Sequence, residues 1–362
     1  MTGSLFPFHP PAGKKLKCLD IFSGCGGLSH GLHQSGVITS NWSIEKDEEA
    51  AEAFKMNNPD CVVFCEDCNT ILSHAMKGVV TTATGERIPR RGEVDIICGG
   101  PPCQGYSVMN SHKESERSQQ NNSQVFTFLS FCEFYRPRFF IFENVMEFAK
   151  YESGMLLKKY MLALVRMGYQ CTFAVLQAGH YGVPQSRRRL IIQAAAPGER
   201  LPLYPEPRHV FHQPNSPLTV RLDSNTYEAN LRWRHSAPYR TVNNRDAIRD
   251  LPRIENGHNQ FDMSYGQEPL SHFQRKMRAG NERLTDHVPK KLNSVNHERV
   301  QLIPPGCDVK ALPDDMKPAS MVEKARTGAY GRAEWGGVSR TVTTKDNPGG
   351  RQGQVLHPSQ AR

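Results

Sequence analysis

A chain of 362 residues runs past the ~250 to 300 at which one hydrophobic core usually stops growing, so a large domain joined to a smaller one is expected. Lysine and arginine number 45 against 36 aspartates and glutamates, and the resulting charge of +9 points to a polyanionic partner. No stretch approaches the ~18 consecutive apolar residues of a membrane-spanning helix, and Met1 to Lys15 lacks the apolar run of a secretory leader, so an intracellular chain is expected.

Taken in chain order, the residues up to Pro197 alternate apolar or period-2 runs with helical patterns. Strands are predicted at Lys17 to Phe22, Asn41 to Ile44, Cys61 to Cys65, Val94 to Cys98, Arg138 to Phe142, Gln170 to Leu176 and Arg189 to Ala194. Helices are predicted at Leu28 to Ser35, Glu48 to Asn57, Thr70 to Lys77, Gln124 to Tyr135 and Met155 to Met167. That rhythm argues for an α/β fold with a mostly parallel sheet covered on both faces. The last two strands have only a Gly/Pro-containing loop between them, so they are expected to pair antiparallel at one edge.

Three successive strand ends carry the first chemical signals. Phe22-x-Gly24-x-Gly26-Gly27 lets the chain approach a ligand closely between a strand and a helix N-terminus. Glu45 ends the next strand, 21 residues beyond Gly24, where folds of this kind hold a ribose diol. Asp67 follows the third strand and is placed to accept from an adenine amino group. Cys103 stands on the stiff loop Gly99-Gly-Pro-Pro-Cys-Gln-Gly105, where an α/β enzyme would hold a nucleophile; the alternative is a proline-rich turn with an incidental thiol. The polar segment Asn110 to Ser123 reads as a mobile lid.

Glu143 ends the run Phe139-Phe-Ile-Phe-Glu-Asn-Val145 and is either a structural hydrogen-bonder or a substrate clamp. Gln185-x-Arg187-Arg188-Arg189 leads straight into an apolar strand, with Arg187 and Arg189 expected on one side and Arg188 on the other. The ten cysteines read mainly as small buried hydrophobes of a reducing compartment. Cys61-x3-Cys65-x2-Cys68 matches an iron–sulfur spacing, but Val62 to Phe64 inside it reads as a strand, so no metal site is expected. From Pro197 the texture turns proline-rich, then rich in Arg, His, Asn and Gly, with short helices at Leu270 to Arg278 and Leu292 to Leu302. A small, loop-rich second domain fits that texture.

These motifs, in this order, resemble the DNA (cytosine-5)-methyltransferases, and among them the catalytic region of the eukaryotic maintenance enzymes. The likeness runs from about Leu16 to Arg362 and is most specific at residues 22–28, 99–105, Glu143-Asn-Val, 164–171 and 177–183. It extends through Pro205-Glu-Pro, Tyr330-Gly-Arg-x-Glu-Trp335 and Val355-Leu-His-Pro358. The resemblance implies an S-adenosylmethionine-dependent, Rossmann-like catalytic domain over 16–197 after a lead of 1–15, and a target-recognition domain over 198–362. It implies methyl transfer to C5 of a flipped-out cytosine in double-stranded DNA, at CpG, by a monomeric catalytic unit in the nucleus.

The resemblance also implies roles. Cys103 would add to cytosine C6, Glu143 would hold the N3 and amino edge, Arg189 would donate to O2, and Arg187 would support the Cys103 loop or a phosphate. Phe22 would stack on adenine, Gly24, Gly26 and Gly27 would approach the amino-acid part, Glu45 would hold ribose, and Asp67 with Cys68 would border adenine. Ser23, Leu28, Lys46 and Pro102 would complete the pocket. Arg351 and Gln352 would approach CpG base edges.

Two departures bear on substrate preference. Ala319 to Ala329 contains neither Cys nor His where the animal enzymes carry a zinc cluster, and Gly349 stands where they have a methionine that packs into the duplex. The likeness also implies a helix and a short segment beyond Arg362 that close the sheet beside the first strand, so the chain is expected to lack them. The rival readings are a transfer RNA cytosine-5 methyltransferase and a catalytically impaired DNA-binding homologue.

Overall fold

The computed structural model describes residues 13, 15–102, 116–211, 218–222, 225–229, 237–318, 328–342, 348–349 and 356–361. They form two compact units: Met1–Leu176 with Arg188–Pro205 and Asn215–Leu231, and Gln177–Arg187 with Glu206–Pro214 and Arg232–Arg362.

The first unit is built on β1 (Leu16–Ile21), α1 (Gly27–Gln34), β2 (Ile38–Glu45), α2 (Glu48–Asn57), β3 (Val62–Cys65), α3 (Cys68–Met76), β4 (Ile96–Gly99), α4 (Glu116–Tyr135), β5 (Phe139–Asn144), α5 (Glu147–Lys150), α6 (Met155–Arg166) and β6 (Gln170–Gln177). After the short β7 (Gln185–Ser186), β8 (Arg188–Ala195) completes a seven-stranded sheet in the order β3-β2-β1-β4-β5-β8-β6. β3, β2, β1, β4 and β5 pair in parallel, and β8 runs antiparallel to β5. The strand order therefore reverses at β1 and β4, and the crevice beyond their carboxyl ends is where such sheets bind ligands. This is the Rossmann-like α/β sheet expected.

Alternation within the strands explains the two covered faces. Cys18, Ile38, Ile96 and Cys98 pack with Leu28 and Leu32 of α1. On the other side, the Phe128 ring of α4 lies 4.9 Å from Phe140, and Phe142 lies 4.7 Å from Tyr160 of α6. Local chemistry sets the helix starts: Asp47 Oδ1 accepts from the Ala50 N–H at 3.0 Å, capping α2, while Ala51 and Phe54 supply its buried stripe.

Two stretches differ from expectation. Helix α4 begins at Glu116, so residues 116–123 of the expected lid are helical; their Glu, Arg and Gln content supports a helix that no apolar period advertises. The remainder of that segment lies outside the described residues. Just beyond the proline-rich stretch, where the texture points only to a loop-rich second domain, β9 (Leu218–Leu222) and β10 (Asn225–Ala229) form an antiparallel hairpin, with β9 against α5.

The second unit is loop-rich. It holds α7 (Asn244–Ile248), β11 (Asp262–Ser264), α8 (His272–Arg278), β12 (Arg283–Thr285), α9 (Ser294–Leu302) and β13 (Ser339–Arg340), the last parallel to β7. Capping boxes start α7 and α8, through Asn243 with Asp246 and Ser271 with Gln274. The core is small: Val300, Ile303, Val309, Leu312, Ala329, Tyr330 and Leu356. Polar clamps supplement it. Arg278 pairs with Asp250 at 2.7 Å under the Tyr265 ring, and buried Arg332 donates to the carbonyls of Val300, His357 and Gln360.

Candidate active site

The turn after β1 is folded onto the end of β2. Phe22 leaves the strand at φ +60, a strained value for a non-glycine residue, and the Phe22 and Ser23 N–H groups donate to Ile44 O at 2.9 and 3.3 Å. Ser23 Oγ meets Ser43 Oγ at 2.7 Å. Gly24 and Gly26 take φ of +52 and +93, which glycine alone adopts freely. Glu45 organises the surroundings through its own carboxylate: Oε2 accepts from the Gly24 N–H at 2.8 Å, and Oε1 from the Lys46 and Asp47 N–H groups at 2.8 and 2.9 Å.

The side of this turn away from the sheet is open. A Cβ at Gly24 or Gly27 would meet no atom within 4 Å outside its own turn of chain, and α1 starts without a side-chain cap or an acid in its first turn. Its leading N–H groups are thus left to an outside acceptor. The half-buried Phe22 ring stands 6.5 Å from Phe128, and Leu28 is half-buried among the α1 contacts. Lys46 Nζ pairs with Asp67 Oδ2 at 3.1 Å, while Asp67 Oδ1 caps α3 through the Asn69 N–H at 2.9 Å. Burial raises the Asp67 pKa, but the Asn69 and Lys46 hydrogen bonds outweigh it and hold the carboxyl below its ordinary value. The buried Cys68 thiol donates to Gln124 Oε1 at 3.0 Å, and burial pushes its pKa up to about 12.

A second cluster forms at the end of β5. Arg189 Nε pairs with Glu143 Oε1 at 2.9 Å, both side chains being about one-fifth exposed (20 and 24 %). Gly100 leaves room beside them, since a Cβ there would stand 2.9 Å from Glu143 Oε2 and would displace the carboxylate. Asn144, buried and not singled out by the sequence, donates from Nδ2 to Pro101 O at 3.2 Å and accepts from the Val145 N–H at 2.8 Å. It ties the end of β5 to the loop that continues through half-buried Pro102 toward Cys103. Cys103 itself lies outside the described residues, as do Arg351 and Gln352.

Arg187 belongs to the second unit. Its N–H donates to Oε1 of buried Gln177 at 2.7 Å, and its carbonyl accepts from the Ala178 N–H at 3.0 Å. Gln177 was given no role either, although both amides stand inside matched stretches, Asn144 in Glu143-Asn-Val145 and Gln177 at the head of 177–183.

Beneath the glycine turn, Asp20 is buried beside Ser29 and Cys98, with neither oxygen completing a hydrogen bond of good geometry. Burial pushes its pKa up to about 7, Ser29 and Cys98 opposing in part. Among the three cysteines of iron–sulfur spacing, Cys61 is buried before β3, Cys65 is exposed at its end, and Cys68 begins α3.

The C-5 cytosine-specific DNA methylase family matches residues 16–355. DNA (cytosine-5)-methyltransferase PliMCI of Paracentrotus lividus is 43% identical over 96% of this chain, and DNA (cytosine-5)-methyltransferase 1 of Mus musculus is 42% identical over the same share. The chain spans about a quarter, 25%, of the length of each. A solved structure described as a DNA modification methyltransferase encoded within an E. coli prophage superposes with a TM-score of 0.63 at 19% identity, covering 96% of this chain and 85% of its own, a likeness of fold. With the family pattern matched from the first strand of the sheet into the second unit, the chain belongs to the C-5 cytosine-specific DNA methylase family.

Proposed function

We propose that the chain transfers a methyl group to C5 of a cytosine flipped out of duplex DNA, at CpG sites and with a maintenance-type preference for hemimethylated duplex. The observation that carries the reading is the Glu143–Arg189 pair at the end of β5, beside the loop leading to Cys103. Relatives named DNA (cytosine-5)-methyltransferase, 43% and 42% identical, support it, as does the formal charge of +9.

Family membership makes S-adenosylmethionine the cofactor, and the first unit fits it. The open Gly24 and Gly27 positions and the uncapped α1 N-terminus suit its amino-acid end, with Ser23 and Leu28 flanking the turn. Glu45 suits the ribose, Phe22 the adenine face, and Asp67, Lys46 and Cys68 the adenine edge, with Pro102 at the reacting end. When bound, the cofactor supplies an electrophilic sulfonium methyl.

The chain's residues do the rest. Cytosine C5 is a poor nucleophile until the Cys103 thiolate forms a bond to C6, which places electron density on C5. Glu143, bound at the N3 and amino edge, stabilises that addition as proton donor or hydrogen-bond partner. Arg189 orients Glu143 and donates to cytosine O2; Arg187 supports the Cys103 loop or a phosphate. After methyl transfer, loss of the C5 proton restores the ring and expels the thiolate. The base must leave the stack for any of this to occur. The reading places a monomeric catalytic unit in the nucleus, with CpG-containing duplex as its partner.

Methyl transfer to unmethylated duplex, hemimethylated duplex and transfer RNA, with a 5-fluorocytosine duplex as covalent trap, tests the assignment. Fastest transfer to hemimethylated CpG and an adduct lost in Cys103→Ala are expected. Preferred transfer to transfer RNA, or an adduct that survives Cys103→Ala, overturns it.

A further inference from the structure

The outer edge of the first unit carries a groove that the methylation site does not use. β3 ends the sheet and, among the described strands, pairs with β2 alone. The Glu66 N–H donates to Glu45 O at 3.2 Å. In a parallel ladder, residues facing the neighbour alternate with residues facing away, so Val63 and Cys65 turn their N–H and C=O groups outward. Edge strands are ordinarily blunted by charge, proline or a bulge; Val62-Val63-Phe64-Cys65 has no charged residue and no proline. A cavity of about 610 Å³ runs along this edge, walled by Glu48 and Glu52 of α2 on one flank and Glu86 with Arg87 on the other, with Val63 and Cys65 in its lining.

The charge of this groove opposes that of the chain as a whole. Three carboxylates, Glu48, Glu52 and Glu86, face two cations in its lining; Lys55 Nζ keeps its charge but is turned to Pro59 O and Cys61 O at 2.9 and 2.6 Å, and Arg87 is neutralised by Glu93 at 2.6 Å. The carboxylates of Glu48 and Glu52 have no hydrogen-bond or ion-pair partner among the described residues. The Thr82 and Thr84 hydroxyls hold Glu86 below the ordinary carboxyl value, so it is ionised. Cys65 registers the same field: burial, then Glu48, Glu45, Glu66 and Asp47, raise its pKa.

We propose that this groove docks an extended, Lys/Arg-rich segment of a partner protein, which adds to the sheet as a strand beside β3 and sets its basic side chains against Glu48 and Glu52. Main-chain pairing with Val63 and Cys65 supplies affinity in such augmentation, and the flanking side chains supply selectivity. Because successive strand residues face opposite sides, a basic residue at every second position is the pattern that meets the α2 carboxylates. Four edge residues at about 3.3 Å each give a pairing length of roughly 13 Å.

The test uses fluorescein-labelled peptides of alternating Lys and Val, alternating Glu and Val, and the Lys–Val peptide N-methylated at alternate amides, with anisotropy and hydrogen exchange read on the full chain. The Lys–Val peptide should bind, slow exchange at Val63 and Cys65, and lose affinity at least tenfold in a Glu48→Lys, Glu52→Lys double variant whose S-adenosylhomocysteine binding is unchanged. The Glu–Val and N-methylated peptides should not bind. Equal binding of the N-methylated peptide, an unaffected double variant, protection at other strands, or dimerisation of the chain through β3 in place of peptide binding each overturns the proposal.

Discussion

Glu45 and Gly24 are joined by a hydrogen bond of 2.8 Å, from the glycine N–H to Oε2, so the carboxylate at the end of β2 holds the turn that follows β1. The residue proposed for ribose therefore also shapes the glycine turn proposed for the rest of the cofactor. Glu45→Ala removes three backbone hydrogen bonds as well as the sugar acceptor. We expect S-adenosylhomocysteine affinity to fall by about 1.5–3 kcal/mol, roughly 10- to 100-fold, as measured by calorimetry; unchanged affinity would reject the role.

Asn144 carries a different kind of prediction because it acts on the loop and not on the substrate. Without its bond to Pro101 O, the approach to Cys103 loses its tether to β5. Asn144→Ala should lower kcat about 10²-fold, the scale of an ångström of misplacement, while DNA and cofactor affinities hold. Single-turnover kinetics separate these: a rise in DNA Kd with kcat intact would contradict it.

Arg189→Met removes the 2.9 Å partner of Glu143 and with it the donor proposed for cytosine O2. A loss of roughly 10²-fold in kcat follows from removing one such donor. Arg189→Lys retains the charge but not the planar fork, so it should recover only part of the rate. Full rescue by lysine would mean that charge alone matters there.

Asp20 makes stability depend on pH. Its carboxyl is raised from an ordinary 3.8 to about 7 by burial in the folded state. The folded protein thus keeps the proton that the unfolded chain releases above pH 4, and stability present below that value is lost as pH rises toward 7. Asp20→Asn does not titrate. Thermal unfolding should show the variant gaining on the parent by a few kcal/mol between pH 4.5 and 7.5; parallel pH profiles would exclude a buried, protonated Asp20.

Much of the first unit was legible because its strands are apolar or alternating runs bounded by Gly, Pro or charge. Helix α2 occupies the predicted Glu48–Asn57, since an Asp cap and an Ala51/Phe54 stripe announce it. The first two turns of α4 were hidden because polar residues surround the whole helix there. Hairpin β9–β10 was masked by the prolines preceding it, although Leu218-Thr-Val-Arg-Leu222 alternates as a strand does. At the site, the types and places of Glu45, Glu143 and Arg189 could be read from strand ends. That Glu143 and Arg189 pair could not, because it depends on β8 lying antiparallel against β5, a long-range register that no local pattern encodes.

That register also orders events on the ribosome. β6 is synthesised before β8 but lies beyond it in the sheet, so a nascent chain that has emerged only through Gln177 has no seat for its newest strand. β5 then presents a bare edge of Phe139-Phe-Ile-Phe142, an unpaired apolar strand of the kind that recruits other chains. Sheet completion waits on Arg188 to Ala195, and the same stretch brings Arg189 to Glu143. Closure of the hydrophobic sheet and assembly of the charged pair are thus a single step in the life of the chain, and a molecule stalled before it has neither.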